Sequence, residues 1–162
     1  MAHKIFVISD THFGHNNIIK YCNRPFETVD AMDQAMIANW NKVVGPDDYV
    51  IHCGDFCLGN ADKVKEITSQ LNGHKILVRG NHDHGTNTKY KEVGFEQVYG
   101  EKVIIDFGGE IGTICFSHHK QDTPYLNLYG HVHDKPEDDD THKCVCVELW
   151  NYTPILLDDL IK

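Results

Sequence analysis

The sequence has no long apolar run, since no hydrophobic stretch approaches the roughly 18 residues that a membrane-spanning helix needs. The amino terminus enters a strand pattern at once, without the charged segment and hydrophobic run of a signal peptide. The six cysteines include no Cys-x-x-Cys pair, and most lie in apolar runs where a reduced thiol packs as a small hydrophobic group. These absences predict a cytoplasmic protein with no disulfide framework and no membrane partner.

Positive charge is also scarce. The chain has 15 Lys and Arg residues against 24 Asp and Glu residues, a net charge of −9, and no basic stripe. This balance disfavours a long nucleic acid as partner, although bound divalent ions would offset part of the negative charge locally. A hydrophobic fraction of 41% is ordinary for a folded protein, and 162 residues predict one domain over residues 1–162.

The first half of the chain alternates strand and helix patterns. Apolar runs predict buried strands at residues 4–9, 49–53 and 75–79. Thr28 starts one predicted helix, and Asn60 is a good N-cap for a second helix over residues 61–71. This alternation is typical of a parallel sheet with right-handed crossovers, in which ligands bind at the carboxyl ends of the strands.

The second half of the chain is richer in strand patterns. Residues 84–92 are polar and predict a loop with one helical turn at most. Strands are predicted at residues 101–107, 111–117, 127–129, 143–149 and 154–157. The Gly108-Gly109 turn indicates an antiparallel hairpin. The sequence therefore predicts an α/β protein with two stacked sheets.

A polar cluster follows each of five predicted strands. The clusters are Asp10-Thr11-His12, Gly54-Asp55, Gly80-Asn81-His82-Asp83, Ser117-His118 and Gly130-His131-Val132-His133. Alone, the first could be an Asp that caps a helix beside an incidental His, but four further clusters favour a metal site. Residues i and i+2 of an extended segment point to one side, so each Asp-x-His or His-x-His pair can bind one ion.

Together the clusters supply the carboxylate, amide and imidazole ligands that two divalent ions need. The candidate metal ligands are Asp10, His12, Asp55, Asn81, His118, His131 and His133. Asp55 is the residue expected between the two ions, because a carboxylate has two oxygens and can bridge. His119 is expected to point elsewhere, either exposed or behind the ligands, and His52 is expected to be a hydrogen-bonded core residue.

His15 and Arg24 are candidate ligands for a substrate phosphate. Arg24 could bind it through two hydrogen bonds and His15 as a single donor. The alternative is that Arg24 forms a structural salt bridge and that His15 caps a turn. Both alternatives stay open at the level of the sequence.

The ordered set of five motifs from Ile5 to His133 resembles the calcineurin-like metallophosphoesterases. The stretch from Ser9 to His15, with Arg24-Pro25-Phe26, further resembles a small bacterial and phage branch of that family. The resemblance implies a four-layer α/β/β/α sandwich with two metal ions. It implies one ion on Asp10, His12 and His133, a second on Asn81, His118 and His131, and Asp55 as the bridge. It also implies that His82 neutralises or protonates the departing oxygen, with Asp83 orienting His82.

In such a site two ions about 3.5 to 4 Å apart share a water, lower its pKa and hold the phosphoryl oxygens for in-line attack by a bridging hydroxide. Nitrogen and oxygen ligands without a thiolate admit Mn, Fe, Co, Ni or Zn, and we favour Mn. The expected function is hydrolysis of a small or nucleotide-derived phosphodiester, because the chain leaves little room for a cap over the site. The alternatives are a phosphomonoesterase acting on a nucleotide, phosphosugar or phosphoprotein, a nuclease, and a non-catalytic metal-binding scaffold.

Overall fold

The computed structural model describes residues 3–161, which form two β-sheets and five α-helices. The strands of the first sheet are β1 Ile5–Ile8, β2 Tyr49–His52, β3 His74–Val78, β4 Gln97–Tyr99 and β9 Ile155–Leu156. Their order across the sheet is β4-β3-β2-β1-β9. The strands of the second sheet are β5 Lys102–Asp106, β6 Thr113–Ser117, β7 Leu126–Tyr129 and β8 His142–Cys144, in the order β5-β6-β7-β8.

Strand direction explains why the polar clusters meet. Strands β1, β2, β3 and β4 are mutually parallel, and Ile8 pairs in register with His52. The loops after β1, β2 and β3 therefore leave the same edge of the first sheet. In the second sheet β5 and β6 form the predicted antiparallel hairpin, whereas β6, β7 and β8 are parallel. Ser117 pairs with Tyr129, so the loops after β6 and β7 also share an edge.

The two longest helices begin where the sequence predicted them. They are α1 Asn16–Tyr21, α2 Val29–Val43, α3 Ala61–Thr68, α4 Asn87–Glu92 and α5 Leu157–Leu160. Thr28 and Asn60 cap α2 and α3 as predicted, since each side chain accepts a hydrogen bond from a backbone N–H three residues later. The short helix α1 and the strand β4 were not predicted, and α4 lies in the segment for which the sequence indicated one helical turn at most. Segments of six residues or fewer are too short to show a period.

The strands predicted for residues 143–149 and 154–157 are shorter than expected. Strand β8 ends at Cys144, and Val147–Leu149 forms a 3-10 helix instead. Strand β9 covers only two residues before α5 begins at Leu157. Both segments are apolar and buried, and a short buried run does not distinguish strand from helix.

Two apolar cores hold the layers together. Helices α2 and α3 pack on one face of the first sheet through buried residues such as Met36, Trp40 and Ile67. The other face packs on the second sheet, with residues such as Val7 and Phe116 between them. The predicted α/β sandwich with two stacked sheets is therefore confirmed.

Three further expectations concern the chain as a whole. All six cysteines are free, as expected. Among residues 3–161, no helix is long and apolar enough to cross a membrane. A single domain over residues 1–162 stays a prediction, and residues 1, 2 and 162 lie outside the described part of the chain.

Candidate metal centre

Loops from both sheets bring the predicted ligands together at the carboxyl ends of the strands. One group of close ligand atoms comprises Asp10, His12 and His133, and a second comprises Asp10, Asp55 and His118. In each group the ligand atoms lie within 4.8 Å of one another. The two groups share Asp10, so they form one continuous site.

In the first group, His12 Nε2 and His133 Nε2 each lie 3.6 Å from Asp10 Oδ1. Asp10 Oδ1 and His12 Nε2 are also buried polar atoms without a hydrogen-bond partner. Buried polar atoms nearly always have a partner, so these two require an explanation. Separations of this size are too long for hydrogen bonds but match ligands on one ion with bonds of about 2.1 Å. The residues present therefore fit a divalent metal ion.

Asp55 lies between this group and the remaining predicted ligands. Its Oδ2 is 3.5 Å from His12 Nε2 and 3.3 Å from His118 Nε2. On the far side, His118 Nε2 is 2.8 Å from Asn81 Oδ1 and 3.2 Å from His131 Nδ1. The structure thus places all seven predicted ligand residues in one site, with Asp55 at its centre.

The backbone that carries the ligands is unusual. Within residues 3–161, eight non-glycine residues have positive φ angles, and five of them are predicted ligands: Asp10, His12, Asp55, His131 and His133. Backbone of this kind is energetically unfavourable and collects at functional sites. The expectation that Asp10-x-His12 and His131-x-His133 are extended pairs was therefore wrong. These residues lie in left-handed turns, and His131 and His133 point to opposite ends of the site.

Burial and close neighbours shift the pKa of three of the predicted ligands, Asp10, His118 and His133. Burial lowers the pKa of His118, but its hydrogen bond to Asp55 and the charges of Asp10 and Asp55 raise it to about 9. Burial also lowers the pKa of His133, but its hydrogen bonds to Cys22 and Glu148 raise that pKa to about 10. Burial raises the pKa of Asp10, yet the neighbouring histidines hold it below its ordinary value. The metal-free site therefore holds protons where a metal would bind.

We expect the metal-free protein to lose stability as the pH rises from 7 to 10. The raised pKa values, about 9 for His118 and about 10 for His133, mean that the folded state keeps protons which the unfolded chain releases near pH 6.5. The stabilisation from these protons is complete at pH values below the pKa of the unfolded chain. It is lost as the pH rises through the folded-state pKa values of about 9 and 10. Thermal unfolding of chelator-treated protein should show a melting temperature that falls by several degrees. An equally steep fall in a His118→Gln, His133→Gln double variant would contradict this assignment.

Glu148 is a part of the site that the sequence did not reveal. Its Oε2 accepts hydrogen bonds from His133 Nδ1 at 2.8 Å and from Arg24 Nη2 at 2.8 Å. It lies in a stretch predicted only as a strand, and no motif marks it. Contact with His133 Nδ1 directs the other ring nitrogen, Nε2, towards Asp10, which is how a carboxylate positions a metal-binding histidine.

Arg24 is buried behind the ligands. Besides Glu148, its guanidinium donates to the backbone carbonyls of Asp10 at 2.6 Å and Thr11 at 2.8 Å. The structural ion pair that the sequence left as an alternative is therefore present. These contacts hold the turn that carries Asp10 and His12, so Arg24 supports the ligands from the side opposite the solvent.

His15 and His82 lie on the open side of the site. His15 Nδ1 is 3.1 Å from His12 Nδ1, and its ring centroid is 6.4 Å from that of His82. Burial and the neighbouring His12 lower the pKa of His15. The exposed His82 is anchored by its backbone N–H, which donates to Asp55 Oδ1 at 2.9 Å, and its ring lies 5.7 Å from that of His12. Both imidazoles can therefore reach a ligand bound at the centre.

Asp83 connects two of the ligand loops. Its carboxylate accepts hydrogen bonds from the backbone N–H groups of Asp55 at 2.7 Å, Gly80 at 2.8 Å and Phe56 at 3.1 Å. Within residues 3–161, the Asp83 carboxylate forms no hydrogen bond with the ring of His82, although such a contact was expected. Asp83 therefore positions the loops that carry Asp55 and Asn81, and it affects His82 only through them.

Two further histidines can be compared with their expected places: His52 agrees, and His119 is exposed as expected but lies beside the ligands. His52 is a buried core residue as predicted: it contacts Thr11 Oγ1 at 3.0 Å, and burial lowers its pKa to about 3. His119 does not point away from the site. Its ring centroid lies 4.3 Å from that of His131, and both group with His118 as close ligand atoms. The left-handed turn at His131 brings the two rings together.

Similarities to known proteins include a domain family, a relative and a solved structure. A model of the calcineurin-like phosphoesterase superfamily domain matches residues 3–149. The uncharacterized protein MJ1445 of Methanocaldococcus jannaschii is 38% identical, over 98% of this chain and 90% of that protein. The crystal structure of AQ665, a protein of unknown function from Aquifex aeolicus, has a TM-score of 0.80 and 27% identity, covering 98% of each chain. The region matched by the family model includes every predicted ligand and Glu148.

Proposed function

Because this chain belongs to the calcineurin-like phosphoesterase superfamily, we propose that it is a hydrolase that cleaves a small phosphodiester with two divalent metal ions. Asp10, His12 and His133 would hold one ion, Asn81, His118 and His131 would hold the other, and Asp55 lies between the two sets. The observation that carries this proposal is the pair of ligand groups that share Asp10, with two buried ligand atoms lacking partners.

The ions supply an activated water and positive charge that holds the phosphoryl oxygens, and we favour Mn²⁺ for this nitrogen and oxygen ligand set. The chain's own residues bind and orient the ester. His82 gives a proton to the departing oxygen, and the partly buried His15, whose ring is 6.4 Å from that of His82, can donate a hydrogen bond to the phosphoryl group. Arg24 acts from behind by fixing the Asp10 turn.

Charge and exposure favour a diester over a monoester. The guanidinium of Arg24 is occupied by Glu148 and two backbone carbonyls, so it is not free to neutralise the second charge of a phosphomonoester. Asn81, His82 and His131 are exposed, so the centre is open enough for a phosphate with two substituents. A net charge of −9 argues against a long nucleic acid.

Hydrolysis assays on chelator-treated protein test this function. Protein resupplied with Mn, Ni, Co, Zn or Mg should hydrolyse bis-p-nitrophenyl phosphate faster than p-nitrophenyl phosphate, and the same chelator-treated protein without added metal should show no turnover. Faster cleavage of the monoester would favour a phosphomonoesterase. Two bound ions per chain without turnover of either compound would favour a binding scaffold, and failure to bind metal would overturn the proposal.

Glu148 gives a separate prediction about metal affinity. Replacing Glu148 by Gln keeps an oxygen that can accept from His133 Nδ1 but removes the negative charge that makes the histidine more basic. We expect metal affinity to fall about 10- to 100-fold, as for other groups that orient a ligand. Isothermal titration calorimetry with Mn²⁺ measures this affinity. The matched control is Glu96→Gln, which changes an exposed carboxylate that pairs with His74. Unchanged affinity in Glu148→Gln would show that Glu148 serves the fold alone.

A further inference from the structure

A cavity of about 350 Å³ opens beside the candidate metal centre, between α3 and α4. Its inner wall is formed by the largely buried side chains of Val64 and Tyr90, with the thiol of Cys57 next to them. Leu58 stands at its edge and is 46% exposed, although it is a large apolar residue. A cavity of this size with apolar walls is typical of a small-molecule site.

The cavity is connected to the reaction centre through His82, which lines it. The ring of His82 is 5.7 Å from that of the ligand His12 and 6.3 Å from that of His84, another lining residue. His82 therefore lies between the metal ligands and the cavity. In the proposed function His82 protonates the departing oxygen, so the group attached to that oxygen extends into this cavity.

The cavity wall is held in place by hydrogen bonds. The carbonyl of Gly85 accepts from Arg79 Nη1 at 2.6 Å, and the N–H of Gly85 donates to the hydroxyl of Tyr90 at 3.3 Å. At the rim, Asn60 uses Oδ1 to cap α3 at 3.0 Å from the N–H of Lys63, which leaves the protons of its Nδ2 for other acceptors. The cavity thus combines fixed apolar walls with polar groups at its edge.

The charges of the lining residues limit what can bind. Lys89 is the one Lys, Arg, Asp or Glu among the described residues that line it, beside the imidazoles of His82 and His84. A second phosphate would need more than one cation to replace its hydration. A flat ring system with apolar faces and polar edges matches apolar walls and a rim of Asn60, His84 and Lys89. A nucleobase has these properties.

We propose that this cavity binds a nucleoside as the leaving group of the phosphodiester. This inference rests on the proposed function. In the reaction the oxygen of water forms a new bond to phosphorus, and the bond from phosphorus to the nucleoside oxygen breaks. The nucleoside oxygen takes its proton from His82, and the water proton released on attack restores His82. The products are a free nucleoside and the phosphomonoester of the other alcohol.

The test compares two methyl diesters that differ only in the base: adenosine 5′-(methyl phosphate) and ribose 5-(methyl phosphate). Burial of the base should raise kcat/KM about tenfold for the adenosine compound. The products should be adenosine and methyl phosphate, since the nucleoside occupies the leaving side. Equal rates for the two compounds, or release of methanol and adenosine 5′-monophosphate, would overturn the proposal. Preferred cleavage of methyl octyl phosphate would show that the cavity binds an aliphatic alcohol instead.

Two variants on α3 locate the effect. Ala61 is exposed and lines the cavity, so Ala61→Trp should fill it and bring the adenosine to ribose ratio of kcat/KM close to one. Glu66 is exposed on the same helix and does not line the cavity, so Glu66→Trp should keep the tenfold ratio. A tenfold ratio retained in Ala61→Trp would place base recognition elsewhere and overturn the proposal.

Failure of the proposed function would look different from failure of this cavity assignment. If no diester is hydrolysed with any metal, the function fails, and the cavity is then judged by binding alone. Saturation-transfer NMR with adenosine should show contact to the wild-type protein and to Glu66→Trp but not to Ala61→Trp. Absence of contact to the wild-type protein would overturn the cavity assignment.

Discussion

Replacing Asp55 by Asn is expected to lower metal-dependent phosphodiester hydrolysis by more than about a thousandfold. Asp55 is the carboxylate between the two ligand groups, 3.5 Å from His12 and 3.3 Å from His118. Asn has the same shape and can still accept the hydrogen bond from the N–H of His82. The variant therefore removes one negative charge and one strong metal ligand while the loop geometry is kept.

The measurement is turnover of bis-p-nitrophenyl phosphate together with the number of ions bound per chain. Asp55→Asn should retain fewer ions than the wild-type protein. Asp62→Asn, at an exposed position in the first turn of α3, is the matched control and should keep both turnover and metal. Full activity in Asp55→Asn would show that Asp55 is not the shared metal ligand of the site.

The ligand set could be predicted from the sequence because of strand direction. Parallel strands bring the residues that follow them to one edge, so Asp10, Asp55 and Asn81 are expected together once β1, β2 and β3 are recognised. The order of the five motifs then added His118 and the two histidines after β7. None of this required knowledge of the local backbone, and the backbone expectation of extended pairs was in fact wrong.

The support around the ligands could not be predicted, for a physical reason. Glu148 follows His133 by 15 residues and reaches it only because the chain turns into a 3-10 helix after β8. Arg24 meets Glu148 across 124 positions of sequence. Contacts of this kind depend on tertiary packing, whereas spacing reveals only neighbours within one element or at one sheet edge. The short helix α4, which forms a wall of the cavity beside His82, is somewhat longer than the single turn that its polar sequence indicated.

Replacing His82 by Ala is expected to slow hydrolysis of an alkyl phosphodiester by about 10²- to 10⁴-fold, the usual contribution of general acid catalysis. The imidazole is exposed and is held near the centre by its backbone N–H rather than by its ring. Its removal should therefore leave the metal ligands in place. The loss should be much smaller for bis-p-nitrophenyl phosphate, because p-nitrophenolate departs readily without a proton.

The difference between the two substrates distinguishes proton donation from other roles of His82. A residue that only shaped the site would slow both esters equally, and a metal ligand would reduce the number of bound ions. His74→Ala is the matched control, because His74 is partly exposed at the start of β3, whereas Asn81 and His82 follow its end. Equal losses on both esters would assign His82 to substrate binding. Loss of metal from His82→Ala would make it a ligand, and the departing oxygen would then need another proton donor, for which the nearby His15 is the candidate.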